Sequence, residues 1–370
     1  YDLLYGYFDV SERERMRDFF LREAEAVEEC HDYWIAHQPG GALNNHLGWH
    51  AAGLMMIGLF YDKPDLVEKA VNGPAGYYRF LRHGFHDDGL WLEGSLPYHF
   101  VQLDAMLLMS RMAGNAGYPK DLLTHPTGDG RTLKQAYDSI FGVIFPDCSI
   151  PPLGDGYGKI HHLTDKSAYE YLFRRYKDEK YAWLLNQAGQ RAPEAIFDGV
   201  ADIPEASPPD QSSRLWVQHG LAALRTTEGP EYWSGRGWSL LASFSHNLTH
   251  HHADKLSIML FGEGKLWLRD CESDPQPAEV FGSPQNQKLN WTTPAHNTLV
   301  VDWRSQDRSP ERPMDIIEYT ILPEAKRLTI GDLNGQLYEG VRQLRTLVVK
   351  GDYVLDVYQV LAQETHDFCW

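Results

Sequence analysis

A helical half followed by an antiparallel β-sandwich is the fold the sequence predicts, and three observations predict it. Up to residue 188 apolar side chains recur at i, i+3 and i+4 in stretches separated by Gly, Pro and Asp. From Arg191 the texture changes to short alternating runs of strand type. Between the two, Pro193, Pro204, Pro208 and Pro209 punctuate a linker and put the boundary near 200 to 212. A chain of 370 residues exceeds the size at which one core stops growing, so two domains are expected, 1–205 and 206–370.

In chain order, Ser11-Glu12-Arg13-Glu14 reads as a capping box opening a helix to about His31, with Met16, Phe19, Phe20, Ala24 and Val27 as its apolar stripe. Helical spacing continues over 45–60, 64–81, 98–112, 133–145 and 166–188, and the short connections predict antiparallel pairs in a helical bundle or an α/α toroid. Strands are predicted at 216–224, 238–244, 256–261, 297–301, 319–322, 344–349 and 353–360. Gly262-Glu263-Gly264 is the turn of a hairpin whose second strand, 265–268, leads to Asp270. The pattern stops in mid-course at Trp370 and the first residue is Tyr1, so a piece of a longer protein is expected.

Composition narrows the partners. A formal charge of −17 argues against nucleic acid, whose phosphates need a basic surface. Eleven Trp, 20 Tyr and 15 Phe suit carbohydrate platforms, although aromatic residues more often fill a core. Arg79, Arg82, His83 and His86 form a local basic cluster able to reverse the field in a cleft, or else a solvated helix face. No segment is apolar for the length of a bilayer. Cys30, Cys148, Cys271 and Cys369 lie far apart without metal-type spacing.

The run His250-His251-His252-Ala253-Asp254 carries the most chemistry. In an extended chain His250 and His252 share one face and His251 takes the other, so one strand aims two imidazoles into one cleft. Two imidazoles and a carboxylate at strand ends suit zinc, with a solvated His-rich turn as the alternative. Asn44-Asn45-His46 opens a helix, where at least one Asn is a cap. A polar loop, 86–99, feeds the helix that begins near Tyr98.

Asn45-His46, Asp88-Gly-Leu-Trp-Leu-Glu-Gly-Ser with Tyr98-His99, Gly154-Asp155-Gly156, His250-x-His252-Ala-Asp254-x-Leu-Ser257 and His296-Asn297-Thr298-Leu-Val-Val-Asp302 form an ordered set. In that order they resemble the heparinase II/III-like polysaccharide lyases. The resemblance implies an α/α toroid followed by an antiparallel β-sandwich, with the first toroid helices and much of the later β-region missing from this chain. It also implies β-elimination on a uronic-acid polysaccharide such as heparan, hyaluronan, chondroitin or alginate, with periplasmic or secreted residence. Homo-oligomerisation is left open.

β-Elimination removes the C5 proton beside the uronate carboxylate and expels the C4 oxygen. Donors must neutralise the carboxylate, a role that falls to Asn45 and His46. A base must take the C5 proton and an acid must protonate the leaving oxygen; His250 and Tyr98 match the family positions. Tyr, with an ordinary pKa of about 10, acts as a base only when cations or hydrogen bonds lower it. Glu93, His99, Arg82 and Trp291 are expected to bind substrate. For the metal the family pattern matches His252, Asp270 and His296, which implies a zinc, or another divalent ion, that braces the His250 segment without acting as the Lewis acid. Some family members carry a catalytic Tyr between the last two ligands; residues 271–295 contain none, with Trp291 in that stretch, which leaves Tyr98 as the acid. Two competing readings are a glycoside hydrolase using Asp87, Asp88 or Glu93 as paired carboxylates, and a carbohydrate-binding protein without turnover.

Overall fold

The computed structural model describes residues 2–38, 43–156, 161–244, 250–270, 291–308 and 314–370. Thr249 and residues 271–290, Cys271 among them, lie outside the described residues. Two compact units emerge, Tyr1–Trp91 with Phe100–Tyr137, and Leu92–His99 with Asp138–Trp370. The change from helix to strand falls between Asp198 and Arg214, and the compact units cut across it.

In the first unit α1 (Val10–His37) is capped by Asp9, whose side chain accepts from the Glu12 N–H while Glu12 returns the bond. The capping box therefore starts two residues before the expected Ser11, and the helix runs a further turn and a half past His31. α2 (Asn45–Phe60) has the expected bounds. The single helix expected over 64–81 is two, α3 (Pro64–Asn72) and α4 (Tyr77–His83), because Gly73-Pro74 interrupts the backbone ladder. α5 (Leu96–Asn115) has its first turn in the second unit. The helix expected over 133–145 shortens to α6 (Leu133–Ser139) and a 3-10 turn, Ile140–Gly142.

The second unit begins with the short pair β1 (Ser149–Ile150) and β2 (His161–His162). The expected helix over 166–188 is again two, α7 (Ala168–Tyr176) and α8 (Glu179–Gln187), divided at the left-handed Lys177; α9 (Ala195–Asp198) closes the helical part. An antiparallel five-stranded sheet follows, with β3 (Arg214–Trp216), β4 (Leu221–Arg225), β5 (Trp238–Ser243), β6 (Ser257–Gly262) and β7 (Lys265–Leu268) in sequence order. The strand expected over 216–224 is thus split by a turn at 217–220. β8 (Val300–Val301) is shorter than the expected 297–301. A second antiparallel sheet holds β9 (Asp315–Ile321), β10 (Lys326–Asp332), β11 (Val341–Lys350) and β12 (Tyr353–Ala362); β13 (Phe368–Cys369) pairs with β8.

The two sheets face one another. Leu224, Leu240, Ala242 and Ile258 from the first meet Leu328, Ile330, Val341 and Leu347 from the second in one buried cluster. β11 alternates buried with less buried positions, as a strand with one wet face must. β4 is buried throughout, because its other face is covered: the Phe145 ring stacks on Phe261 and Tyr232 donates to the Ile144 carbonyl at 2.8 Å. That cover explains why residues after 137 cluster with the strands.

Candidate active site

The histidine run lies in the second unit just before β6, in turn and irregular backbone and not in the strand that alternation predicts. Its backbone is nonetheless pinned. The His250 N–H donates to the Glu93 carbonyl at 3.2 Å and the His250 carbonyl accepts from the Asp155 N–H at 2.9 Å. The Ala253 N–H donates to the Trp291 carbonyl at 3.1 Å, and the Arg308 guanidinium donates to the His251 carbonyl at 2.7 Å. Two glycines make this approach possible. Gly154 has φ +70°, and a Cβ there would lie 2.3 Å from the His250 oxygen; Gly94 has φ +90°, and a Cβ would lie 2.0 Å from the His251 ring.

Within that frame the side chains alternate as expected. His250 Nδ1 is 2.9 Å from Asp155 Oδ2, and His252 Nε2 is 3.0 Å from Asp155 Oδ1, while His251 turns away to pack over Gly94. The Trp291 indole N–H donates to Asp155 Oδ1 at 2.8 Å. Asp155 is 4% exposed and receives all three donors. Burial opposes ionisation of its carboxyl, yet the hydrogen bonds from His250 and His252 outweigh burial and lower its pKa to about 2. At His250 burial pushes the pKa down, but Asp155 and Glu93, whose Oε1 is 3.7 Å from Nε2, raise it above the ordinary imidazole value. Asp155 stood in the sequence only as part of a Gly-Asp-Gly motif with no role of its own.

Tyr98, in the first turn of α5, stacks on His250 with ring centroids 3.5 Å apart and planes 16° from parallel. Glu93 and His99 are 1% exposed. Trp291 is part-buried, with the Arg308 guanidinium 5.1 Å from its ring centroid. Tyr98, Glu93, His99, Trp291, His250 and His252 therefore share one unit, whereas Asn45, His46 and Arg82 belong to the other. There, Asn44 is the helix cap, accepting from the Leu47 N–H at 3.0 Å; Asn45 is buried; and His46 is exposed and stacks on Trp34 at 4.9 Å. Arg82 is exposed with its Nε 3.8 Å from Asp129.

A cluster of potential metal ligands adjoins the histidines. Asp254, Asp270 and His296 are buried, and their ligand atoms all lie within 4.8 Å of one another; Asp270 also pairs with His296 Nδ1. Asp270 and His296 come together as expected, and Asp254 is the third member the sequence reading did not assign. At Asp254 burial pushes the carboxyl up, but Lys255 and the surrounding imidazoles more than offset it. His252 stands beside the cluster, its ring 5.3 Å from that of His296, and its buried Nδ1 has no hydrogen-bond partner among the described residues. Buried carboxylates with imidazole nitrogen fit a divalent cation such as zinc.

Two family models cover most of the chain: residues 4–144 match the alginate lyase model and residues 211–370 match the heparinase II/III-like C-terminal model. Solved structures match as well. One of heparinase III is 16% identical, covering 98% of this chain and 53% of that one with a TM-score of 0.72. The heparan sulfate lyase HepC from Pedobacter heparinus is 16% identical over 95% of this chain and 50% of that one, with a TM-score of 0.65. A heparinase III gene product is 15% identical over 92% of this chain and 49% of that one, with a TM-score of 0.66. At such identities the likeness speaks for the fold, and the chain spans about half the length of the solved structures it matches. No curated protein matches. With both family models in chain order on a helical part and an antiparallel β-sandwich, the chain belongs to the heparinase II/III-like lyase family.

Proposed function

We propose that the protein is a polysaccharide lyase that cleaves a uronic-acid polymer by β-elimination, leaving a C4=C5 double bond in the new non-reducing end. The observation that carries this reading is the Tyr98 ring stacked on His250, with Asp155 bonded to Nδ1 of that imidazole. A phenol and an oriented imidazole in contact supply the acid and the base that C5–H and C4–O cleavage require. His250 takes the C5 proton at Nε2, Tyr98 protonates the leaving O4, and the C5–H electron pair forms the new double bond. Asn45 and His46 carry the carboxylate-neutralising role by the family pattern and their donor chemistry alone. Glu93, His99, Arg82 and Trp291 are proposed to bind substrate.

A divalent cation, zinc first, is proposed for Asp254, Asp270, His296 and His252. When bound it supplies fixed positive charge that braces the segment carrying His250. Heparan heads the panel of substrates because the solved neighbours include a heparan sulfate lyase; periplasmic or secreted residence follows from a polymeric substrate, and no helix among the described residues is long and apolar enough to cross a membrane.

Incubation with heparan, hyaluronan, chondroitin and alginate tests the reading, followed by the ultraviolet absorbance of the conjugated uronate. The expected result is new absorbance with at least one polymer. New reducing ends without absorbance would identify hydrolysis, and binding without either would identify a carbohydrate-binding protein. The hydrolase alternative has little geometric support: Asp87 is engaged by Arg131, and Asp88 Oδ1 accepts the Leu90 N–H at 3.1 Å within its own turn.

A further inference from the structure

We infer that Asp155 is a positioning residue that imposes opposite tautomers on two imidazoles, protonating His250 at Nδ1 and His252 at Nε2, and so makes one a base and the other a metal ligand. The inference rests on the lyase reading for the use of the base, and on the structure alone for the tautomers.

As a carboxylate Asp155 can only accept, and one of its three contacts is the Trp291 indole, which can only donate. Its Oδ2 lies 2.9 Å from His250 Nδ1 and its Oδ1 lies 3.0 Å from His252 Nε2, so each of these nitrogens must carry the proton. A neutral imidazole carries one proton. In the neutral ring His250 therefore keeps its lone pair at Nε2, on the side of Glu93 Oε1 at 3.7 Å, whose charge favours a further proton there. His252 keeps its lone pair at Nδ1, the buried atom without a hydrogen-bond partner among the described residues. That is the arrangement in which a metal-ligating His donates its other N–H to a carboxylate. It is also the one by which a buried aspartate orients a catalytic His. Here one carboxylate serves both, held by the Gly154 turn and by the Trp291 indole N–H on Oδ1 at 2.8 Å.

The two oxygens are not equivalent, and that makes the inference sharp. Oδ1 receives two donors, His252 and Trp291, and Oδ2 receives one, His250. In Asp155→Asn the single amide oxygen goes to the side with two donors and the NH2 faces His250 Nδ1. His250 must then accept there and carry its proton on Nε2, while His252 is left as it was. Asp155→Ala removes both constraints.

Long-range 1H–15N correlation spectra of the metal-free full chain, labelled at histidine and held at a pH where both rings are neutral, read the tautomers directly. The expected result is Nδ1–H for His250 and Nε2–H for His252 in the native chain, with only His250 switching in Asp155→Asn. The Asn variant should bind Zn2+ like the native chain and lose about 10²–10⁴-fold in kcat with KM little changed. Asp155→Ala should also weaken Zn2+ by about 10–100-fold. A shared tautomer in the native chain overturns the inference, as does an Asn variant that loses the metal and keeps the His250 tautomer. Should neither variant fold, the native spectrum decides alone. Opposite tautomers without cleavage of any uronate polymer would sink the lyase reading and leave this one standing; cleavage with a shared tautomer would do the reverse.

Discussion

His31 and His50 in the helical unit pack against each other, and His250 and His252 in the strand-bearing unit share the Asp155 carboxylate, so the two pairs of imidazoles sit in opposite electrostatic environments. His31 is fully buried, meets His50 edge-on at 6.0 Å, and neither of its ring nitrogens has a hydrogen-bond partner among the described residues. Burial, helped by the neighbouring His50, lowers its pKa to about 4, so it packs as a neutral ring. His250 is nearly as buried, but Asp155 and Glu93 raise its pKa against the pull of burial. The difference is one carboxylate at hydrogen-bond distance. A buried imidazole without one is a shape; with one it has a fixed tautomer and a nitrogen ready for a proton.

Breaking the carboxylate-held pair should have the largest effect. His250→Ala and Tyr98→Phe are each expected to lower kcat by about 10²–10⁴-fold while the melting temperature and metal content hold. Elemental analysis and single-substrate kinetics on the same preparations check this. A Tyr98→Phe variant with more than about a tenth of native activity removes the phenol from the chemistry. His252→Ala, Asp270→Ala, His296→Ala and Asp254→Ala should instead lose metal and stability together.

The next test asks whether the helical unit contributes chemistry as well as packing. As a donor to charge that develops in the transition state, Asn45 should cost about 10²–10³-fold in kcat when replaced by Ala, with a smaller change in KM. Unchanged kcat in Asn45→Ala would leave the unit with structural polar groups alone.

Much of this contrast was legible in the sequence, and the exceptions have physical causes. Helix α2 was readable to the residue because an Asn cap precedes sixteen residues with no interior Pro. The opposite faces of His250 and His251 were readable from backbone alternation, although no strand forms there. β10 was not, since Lys326, Arg327, Gly331 and Asp332 hide its pattern; yet Lys326 and Asp332 are buried. A break inside 64–81 was masked because the apolar spacing of α3 runs on in phase into α4. Asp155 and Asp254 were visible as letters and silent as roles. Asp155 acts on residues 95 and 97 positions away, and only the fold makes that separation short.

Acid should separate the two histidine pairs by stability. His31 has a folded pKa of about 4 against an unfolded value of 6.5, so the unfolded chain binds the extra proton between them. Its contribution is complete above pH 6.5 and is lost as pH falls toward 4, on the order of 3 kcal/mol in all. Urea midpoints of the native chain and of His31→Leu, compared at both ends of that window, check it. The native chain should lose more stability than the variant; equal losses would mean that His31 is protonated in the fold.

The smallest effect is expected at Asn44, and it is the control for its neighbour. Asn44 has extended backbone, with φ −149° and ψ 169°, and its Oδ1 accepts from the Leu47 N–H at 3.0 Å, so it satisfies one of the donors that a helix start leaves open. Removing that acceptor in Asn44→Ala should cost about 1 kcal/mol of stability, because the freed N–H is buried with Leu47. It should leave kcat and KM unchanged in the molecules that remain folded, since a cap acts equally in the ground state and the transition state. Asn45→Ala should show the reverse pattern, slow turnover at nearly native stability. Were Asn44→Ala to slow turnover as well, the two asparagines would act through one shared placement of the α2 start, and the loss in Asn45→Ala would measure helix geometry and not a donor to the substrate.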